Sequence, residues 1–551
     1  MPSLKSTRRH GCISGLVLAI LSLAAWSVAS TGAASAQVLT TLTNFNNANG
    51  QSPYGGLIID ANGDLFGTTL AGGTSNTGTV FEIANSASGY SSTPTSLVNL
   101  IGYINGEEPL GGLITDANGD LFGTTYAGGA FDGGTVFEIV KTTSGYASTP
   151  ITLVNFNGNG AIGPYPHGDL IADANGDLFG TTVYGGTSGD GMVFEVVKTT
   201  SGYASVPTTL VSFNGTNGAN PHCGLMADAN GNLFGTTQNG GTSGNGTVFE
   251  IVKTTSGFAS TPTTLVNFTY SSGANSYAGL IADANGNLFG TTYDGGAFGA
   301  GTAFEIAKTA SGYSSTPTIL VNFNVTDGQG PQSPLIADAS GNFFGTTEYG
   351  GASGDGAVFK IVKTTSGYAS TPITLVSFNG TNGEGPRGVL LPDANGDLFG
   401  TTEYGGLYSD GTLFELTGSG FVTSIPFASF QADVAVSTAK PYAYALVAGF
   451  TTSAANTAIN PATEVVTLAI ANYTVTIPAG SFKTIGNAYL YQGTINGVTI
   501  SAGLTPLGKN AYAFAVIGSP ENLSSATNPV MVNLTIGANA GSSQVNAVRV
   551  P

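Results

Sequence analysis

A ten-residue phrase, Asp-Ala-Asn-Gly-Asp-Leu-Phe-Gly-Thr-Thr, recurs with small changes through most of the 551-residue chain. The copies are separated by 55 to 57 residues, and a fixed period of about this length indicates a repeat architecture. The first Asp of each copy serves as a landmark. It stands at Asp60, Asp116, Asp173, Asp228, Asp283, Asp338 and Asp393.

Each repeat contains four short runs with the composition of β-strands. In the fourth repeat they read Thr-Leu-Val-Ser-Phe, Gly-Leu-Met-Ala-Asp, Asn-Leu-Phe-Gly-Thr-Thr and Thr-Val-Phe-Glu-Ile-Val. They are rich in β-branched and aromatic residues and are bounded by Gly, Asn, Ser and Pro, as strands are. Seven units of four strands predict an all-β, seven-bladed β-propeller. A solenoid is the alternative, and it would normally need atypical capping repeats at its ends.

The two ends of the repeat region favour a closed ring. A lone strand-like run at Thr40–Phe45 precedes the first landmark, whereas the seventh repeat ends at Gly411–Leu416 without a run of this kind. We therefore predict that the N-terminal strand closes the ring as the outer strand of the last blade. Within each repeat, Asn-Gly between two strands predicts a hairpin with positive φ at both central residues. The Gly of Leu-Phe-Gly-Thr-Thr is expected to permit close packing between blades.

The motif blocks resemble a known family. Asp-Ala-Asn-Gly-Asp-Leu-Phe-Gly-Thr-Thr, Gly-Gly, Gly-Thr-Val-Phe-Glu and Thr-Leu-Val-Asn-Phe recur in this order, and they are similar to the GloVer-type tandem repeat of exported bacterial proteins. The resemblance covers about residues 38–420. It implies a secreted or cell-surface propeller, and it brings no established activity and no catalytic residues.

The N-terminus has the pattern of a secretory signal peptide. Basic residues precede an apolar core and Ala34-Ser35-Ala36, so we predict cleavage before Gln37 and a secreted or cell-surface protein. Removing Lys5, Arg8 and Arg9 leaves 14 − 3 = 11 basic residues against 32 acidic ones, a net charge of −21. Nucleic acid is therefore not an expected partner, since its binding depends on Lys and Arg. We also predict no membrane span in the mature chain, and a monomer.

The repeat texture ends near Gly418. The chain that follows alternates apolar and polar residues and includes the β-branched run Glu464–Ile470, which predicts a second all-β domain. The predicted domains are a signal peptide at 1–36, a propeller at 37–419 and a β-sandwich of about seven or eight strands at 420–551.

The loops at the two faces of the predicted propeller differ in their variability. The Asp-Ala-Asn-Gly-Asp hairpins and the Lys-Thr-Thr-Ser-Gly-Tyr loops share one face, the hairpin face, and they are nearly identical in every blade. The loops after Gly-Thr-Thr and after Thr-Leu-Val-Asn-Phe share the opposite face, the variable face, and they differ in length and chemistry. Because a specific site requires residues that differ between blades, we place any ligand on the variable face over the central channel.

Two sets of equivalent positions define this region. The mouth ring lies six residues before each landmark and comprises Tyr54, Leu110, His167, His222, Tyr277, Gln332 and Arg387. The second ring directly follows Gly-Thr-Thr and comprises Leu70, Tyr126, Val183, Gln238, Tyr293, Glu348 and Glu403. The next position adds Tyr184, Asp294, Tyr349 and Tyr404, and neighbouring strand residues point to opposite sides, so only one of these last two sets can share a direction.

These rings supply the predicted ligand-binding residues. Tyrosine offers an apolar face for stacking and a polar tip, and the charged side chains offer hydrogen bonds. The predicted set is Tyr126, Tyr293, Glu348, Glu403, His167, His222, Tyr277 and Arg387. The alternative is that these aromatic residues only cover loop backbone and fill blade edges.

His167 and His222 are the only histidines after the predicted cleavage site, and they occupy equivalent positions in adjacent blades. Two histidines without a clear third ligand do not make a metal site, although Asp169 or Cys223 could assist. The Asp-Ala-Asn-Gly-Asp turns also differ from a calcium loop, since Gly stands at position four rather than six. We predict no metal and no cofactor, with a calcium or transition-metal ion as the alternative.

The sequence contains no recognisable catalytic constellation. We therefore predict a non-enzymatic, exported binding or adhesion scaffold, whose glycan or protein ligand binds at the cell surface on the variable face. The alternative function is a propeller enzyme, a lyase or a glycan hydrolase, that uses the two histidines. A third possibility is a purely structural surface-layer component with no small ligand.

Overall fold

The computed structural model describes residues 37–157 and 163–423, and from there 425–426, 429–437, 444–451, 464–470, 473–485, 488–495, 498–508, 511–518, 530–536, 539–545 and 548–550. The predicted signal peptide, 1–36, lies outside the described residues. The chain divides into two compact units, one formed mainly by Ser35–Ile425 and the other by Pro426–Ala454 with Ala458–Pro551. The predicted domain boundary at 419/420 lies a few residues before this division.

The described part of the first unit contains seven repeated four-stranded antiparallel sheets, called blades 1 to 7 in the order of their first strands. The first strands are Ile58–Ile59, Ile114–Thr115, Ile171–Ala172, Met226–Ala227, Ile281–Ala282, Ile336–Ala337 and Leu391–Pro392. The second strands are Leu65–Ala71, Leu121–Thr125, Leu178–Thr182, Leu233–Thr237, Leu288–Thr292, Phe343–Thr347 and Leu398–Thr402. The third strands are Thr79–Ile83, Asp132–Ile139, Met192–Val196, Thr247–Ile251, Thr302–Ile306, Ala357–Ile361 and Thr412–Thr417. The outer strands are Thr95–Asn99, Ile151–Asn157, Thr208–Ser212, Thr263–Asn267, Thr318–Asn322, Ile373–Ser377 and Val38–Asn44.

Short elements decorate the blades. Blade 1 has an extra strand, Gln51–Pro53, paired with its second strand, and the loops contain the helix Gly102–Asn105 and the 3-10 turn Tyr270–Ser272. The loops between third and outer strands form two-residue ladders on the hairpin face. Their pairs are Asn85–Ser86 with Gly89–Tyr90, Lys141–Thr142 with Gly145–Tyr146, Lys198–Thr199 with Gly202–Tyr203, Lys253–Thr254 with Gly257–Phe258, Lys308–Thr309 with Gly312–Tyr313, and Lys363–Thr364 with Gly367–Tyr368.

The N-terminal strand closes the ring. Val38–Asn44 pairs antiparallel with Thr412–Thr417 of blade 7, with Leu39 opposite Leu416. The Ser52 N–H of blade 1 also donates to the Asp410 carbonyl of blade 7 (2.8 Å). The prediction of an all-β propeller closed by its own N-terminal strand is therefore confirmed.

Apolar side chains from neighbouring blades form the cores. Phe66 and Val80 of blade 1 pack with Leu121 and Phe137 of blade 2, and all four are buried. Equivalent clusters join every adjacent pair, including blades 7 and 1, where Phe399 packs with the Phe81 cluster. Because each buried Phe, Leu or Val contributes about 1.5–3 kcal/mol, the ring is stabilised at each of its interfaces.

The hairpin turn differs from its prediction. Within Asp60–Asp64 only Gly63 has positive φ (85°), so the expectation of positive φ at both central residues is wrong. The turn is instead stabilised by the Asp60 carboxylate. Its Oδ1 accepts hydrogen bonds from the N–H groups of Asn62 (2.8 Å) and Asp64 (3.1 Å). This side-chain cap is the reason why Asp opens every copy.

The repeated Gly of the second strand serves its own blade. A Cβ on Gly67 would lie 2.7 Å from the ring of Phe81 and 2.9 Å from Leu57, both in blade 1, and the Phe contact recurs in every blade. We expected this Gly to make room for a neighbouring blade. That expectation is wrong, because the side chains that it makes room for belong to its own blade. Gly67 leaves room for the Phe ring that then enters the inter-blade core.

The second unit is a β-sandwich. A five-stranded sheet has the order Ile425–Pro426, Asn539–Val545, Val530–Ile536, Val466–Ile470, Tyr473–Ile477. A seven-stranded sheet has the order Lys483–Ile485, Ala488–Ile495, Val498–Gly508, Ala511–Gly518, Tyr444–Thr451, Ser429–Ser437, Val548–Val550. Leu468 and Val532 of the first sheet share one buried core with Leu446 and Phe514 of the second.

The described residues thus contain twelve strands in this unit, and the expectation of seven or eight is wrong. Two of the additional strands, Ile425–Pro426 and Val548–Val550, lie at sheet edges and are too short to show a period-2 pattern in the sequence.

Candidate functional site at the channel mouth

The seven mouth-ring residues surround one cavity on the channel axis. Tyr54, Leu110, His167, His222, Tyr277, Gln332 and Arg387 all line it, together with residues one or two positions further along most of the innermost segments. The cavity encloses about 60 Å³, which is room for about four water molecules. Small-molecule pockets typically enclose roughly 300–1,000 Å³. A larger ligand would therefore lie across the mouth and insert only one group.

A repeated backbone clip places the mouth ring. Two residues before each ring position the chain has positive φ, between 54° and 67°. In blade 4 this residue is Asn220, whose N–H donates to Asp190 of blade 3 (2.8 Å) and whose carbonyl accepts from Gln238 of its own second ring (3.1 Å). The clip therefore ties each blade to the preceding one and holds the two rings side by side. The equivalent residues are Ser52, Glu108, Tyr165, Asn275, Gly330 and Gly385.

One side of the mouth is ionic. Arg387 Nη2 lies 2.5 Å from Glu348 Oε1, and its Nε lies 2.6 Å from Glu403 Oε2. The second contact is an ion pair without hydrogen-bond alignment. The Arg387 guanidinium also lies over the ring of Tyr54, 5.2 Å from its centroid. The carboxylates are almost completely buried, with side-chain exposures of 3% for Glu348 and 6% for Glu403.

Gln332 extends this ionic cluster. Its amide nitrogen donates to Glu348, and its carbonyl accepts from the Tyr54 hydroxyl (3.2 Å). Burial raises the pKa of Glu403, and the charge of Arg387 opposes that rise. The cluster holds two carboxylates and one guanidinium, so its charge with both carboxylates ionised is −1.

The other side of the mouth is aromatic. The rings of His167 and His222 lie 4.6 Å apart, and Tyr277 packs edge-on against His222 at 5.1 Å. Tyr126 approaches His167 at 6.2 Å, and Tyr293 approaches Tyr277 at 5.4 Å. The Gln238 amide nitrogen donates to the Tyr277 hydroxyl, which fixes the orientation of that ring.

Both histidines are neutral at physiological pH. Burial lowers the pKa of His167 to about 4, and burial together with the charge of His167 lowers the pKa of His222 to about 3. His167 Nδ1 lies 3.2 Å from the His222 carbonyl oxygen, which can only accept, so Nδ1 carries the proton and Nε2 is left as an acceptor.

The predicted site residues therefore fall into one continuous arrangement. His167, His222, Tyr277 and Arg387 line the cavity, and the second-ring residues Tyr126, Tyr293, Glu348 and Glu403 contact them or one another. Their role in ligand binding stays a prediction. At the position directly after the second ring, the side chains of Tyr184, Tyr349 and Tyr404 are exposed.

Three further residues belong to the site but were not among those predicted to bind ligand. Tyr54 and Gln332 join the ionic cluster, and their positions in the mouth ring were the signal for them. Tyr165 stacks on Tyr126 with ring centroids 4.8 Å apart and has φ 67°. No pattern in the sequence indicates that contact, because it depends on a left-handed backbone.

Neither proposed metal location is assembled from enough ligands. The described residues include no group of three or more His, Cys, Asp or Glu placed to hold a metal ion. The Cys223 sulfur is buried, and it accepts a hydrogen bond from the Thr236 N–H (3.2 Å). The hairpin carboxylates are engaged by backbone N–H groups, and three of them also pair with Lys at 3.6 to 3.7 Å.

Across the described segments of the chain, no helix is both long and apolar enough to pass through a membrane.

Several solved structures resemble the chain at low sequence identity. A putative oxidoreductase (glucose dehydrogenase) from Thermus thermophilus is 11% identical, covering 69% of this chain and 100% of that one, with a TM-score of 0.36. Puromycin hydrolase is 11% identical over 73% of this chain and 59% of its own, with a TM-score of 0.44. An ulvan lyase of a polysaccharide lyase family is 11% identical over 74% and 93%, with a TM-score of 0.27.

No curated protein matches the chain. The model of the Gloeobacter/Verrucomicrobia repeat matches three overlapping stretches, residues 30–226, 149–316 and 227–458. Together they cover more than half of the chain and include every copy of the landmark phrase. The chain therefore belongs to the Gloeobacter/Verrucomicrobia repeat family.

Proposed function

We propose that this protein is an exported, non-catalytic binding protein whose propeller holds a polar ligand, a glycan in the first instance, at the channel mouth. The observation that carries the proposal is the contrast between repetition and variation. The cores, hairpins and clips repeat in every blade, whereas the mouth ring has five different residue types at seven equivalent positions that surround one cavity. A stable ring does not require that variation, but a specific site does.

The chemistry of the mouth suits a ligand with hydroxyl groups. Tyr126, Tyr277 and Tyr293 offer aromatic rings and hydroxyls, and His167 offers a nitrogen acceptor.

Catalysis by the histidines is the second candidate, and it is the weaker one. A general base works best when its pKa is near the operating pH. The pKa values of about 4 for His167 and about 3 for His222 leave both groups poorly basic at neutral pH. We therefore favour binding over lyase or hydrolase chemistry.

The test is binding of residues 37–551 to a panel of neutral, acidic and amino-bearing oligosaccharides, followed by calorimetry on any that bind. Tyr277→Phe removes a hydroxyl at the mouth, and we expect roughly a tenfold loss of affinity for a ligand that uses it. Tyr203→Phe removes the same group on the hairpin face and should leave affinity unchanged.

Absence of binding to every oligosaccharide would overturn the glycan proposal. An equal loss in the two variants would remove the assignment to the mouth. Release of shortened sugars by the wild-type chain, but not by His222→Gln, would instead support the enzyme.

A further inference from the structure

One carboxylate lies inside the channel rather than at its rim. Two residues after each mouth-ring position the innermost segments carry small or apolar residues in six blades and Asp169 in blade 3. Asp169 lines the cavity. The other six residues are Gly56, Gly112, Gly224, Gly279, Pro334 and Val389. Asp169 is thus specific to one blade, and the propeller ring is formed in the other six without an acid at this position.

Among the described residues, Asp169 has no cation beside it. Its Oδ1 accepts a hydrogen bond from the Gly112 N–H (2.6 Å), and burial raises the pKa of its carboxyl group. The ion pairs within the described chain use other carboxylates. A carboxylate enclosed by protein without a counter-charge is unfavourable. The cavity therefore provides a position where a cation from outside would be stabilised.

One histidine adds an acceptor to the same cavity. His167 Nε2 is left as an acceptor because Nδ1–H donates to the His222 carbonyl. Both His167 and Asp169 line the cavity. Together they offer one carboxylate and one neutral nitrogen acceptor.

The size of the cavity and the chemistry of its lining indicate which kind of cation it can bind. A metal ion would need three or four ligands converging on one point, and no such group exists among the described residues. A primary ammonium group carries one positive charge and three N–H donors. It fits a cavity of about 60 Å³.

We propose that the cavity binds the ammonium group of an amino sugar, with the Asp169 carboxylate as its counter-charge, His167 Nε2 as a further acceptor and the mouth tyrosines against the sugar ring. This rests on the proposed function and names its ligand class. The ionic cluster adds a charge of −1, so the mouth as a whole favours cationic glycans and disfavours uronic or sulfated ones.

The test compares three oligosaccharides of equal length in calorimetric titrations of residues 37–551: a glucosamine tetramer, its N-acetylated form and a glucose tetramer. Acetylation removes the charge and two of the three donors, so we expect the glucosamine tetramer to bind at least tenfold more tightly than either. Asp169→Asn should abolish that preference. Asp294→Asn makes the same change on the variable face outside the cavity lining and should keep it.

Asp169→Gly gives a second variant that is compatible with the fold, because Gly occupies this position in four other blades. It too should lose the preference while unfolding at an unchanged or higher temperature. Equal binding of the three tetramers, or a preference that survives both Asp169 variants, would overturn the ammonium site and leave the glycan proposal intact. Failure of every oligosaccharide to bind would overturn both. Binding of a lysine-containing peptide alone would overturn the amino-sugar assignment.

Discussion

Replacing Arg387 by Met tests whether the ionic side of the mouth has the energetics that its geometry implies. Arg387 is the cation shared by Glu348 and Glu403, at 2.5 and 2.6 Å. Its own side chain is 19% exposed, and the two carboxylates are 3% and 6% exposed. Met keeps much of the apolar stem of Arg387 but leaves two buried carboxylates without a counter-charge.

The magnitude follows from that burial. Breaking a buried ion pair costs about 3–5 kcal/mol because an uncompensated charge stays in the protein. Both pairs share one cation, and the Gln332 amide still donates to Glu348, so we expect a loss within that range rather than twice as much. Lys253→Met breaks an exposed pair with Asp173, and there the expected loss is below about 1 kcal/mol.

The loss of stability caused by Arg387→Met should depend on pH in a definite direction. Burial raises the pKa of Glu403, and without Arg387 the positive charge that opposes that rise is gone. The loss of stability caused by Arg387→Met is therefore complete at a pH above the raised folded pKa of Glu403. It shrinks as the pH falls toward the unfolded value of about 4.3, because the folded Glu403 takes up its proton first.

Urea unfolding of residues 37–551 at pH 7 and pH 5, followed by far-UV circular dichroism, measures both effects. Adding Glu348→Gln and Glu403→Gln to Arg387→Met should restore most of the lost stability at pH 7. A loss below about 1 kcal/mol, as for an exposed pair, would refute the reasoning. So would a loss that is the same at both pH values and is not rescued by the two Gln substitutions.

Two further predictions concern a buried hydroxyl and the histidines. Thr347 Oγ1 is buried without a partner because Ala357 replaces the threonine that its counterpart Thr402 contacts at 2.8 Å. Thr347→Val should therefore be neutral or stabilising while Thr402→Val costs about 1–3 kcal/mol, and equal urea midpoints for the two variants would contradict this. The unfolded histidines take up protons near pH 6.5, whereas folded His167 and His222 do so only near pH 4 and 3. Stability should thus fall by about 1.4 kcal/mol per pH unit for each histidine below pH 6.5, and a double His→Gln variant with an unchanged pH profile would contradict that account.

The repeat made the fold and the position of the site predictable. A nearly constant period places equivalent residues at equivalent radius and height, so the seven mouth-ring residues could be assigned to one ring without coordinates. The ring closure followed for the same reason, because Thr40–Phe45 is the missing outer strand of blade 7.

The contacts within the ring were less predictable. Glu348 and Arg387 belong to adjacent blades, and their ion pair depends on the angle between those blades, which no local pattern encodes. The stacking of Tyr165 on Tyr126 depends on a left-handed residue at a clip, and its propensity alone would not place Tyr there. The hairpin turn was assigned to the right position, but the Asp60 cap replaced the expected turn geometry.

Hydrogen–deuterium exchange of residues 37–551, with and without the oligosaccharide that binds most tightly, locates the ligand on the propeller. We expect slower exchange at 163–168, 219–224, 274–278 and 384–389, which form the channel mouth, and unchanged exchange at the hairpins around Asp116 and Asp228. Protection of the hairpins or of the C-terminal sandwich instead of the mouth would contradict ligand binding at the mouth.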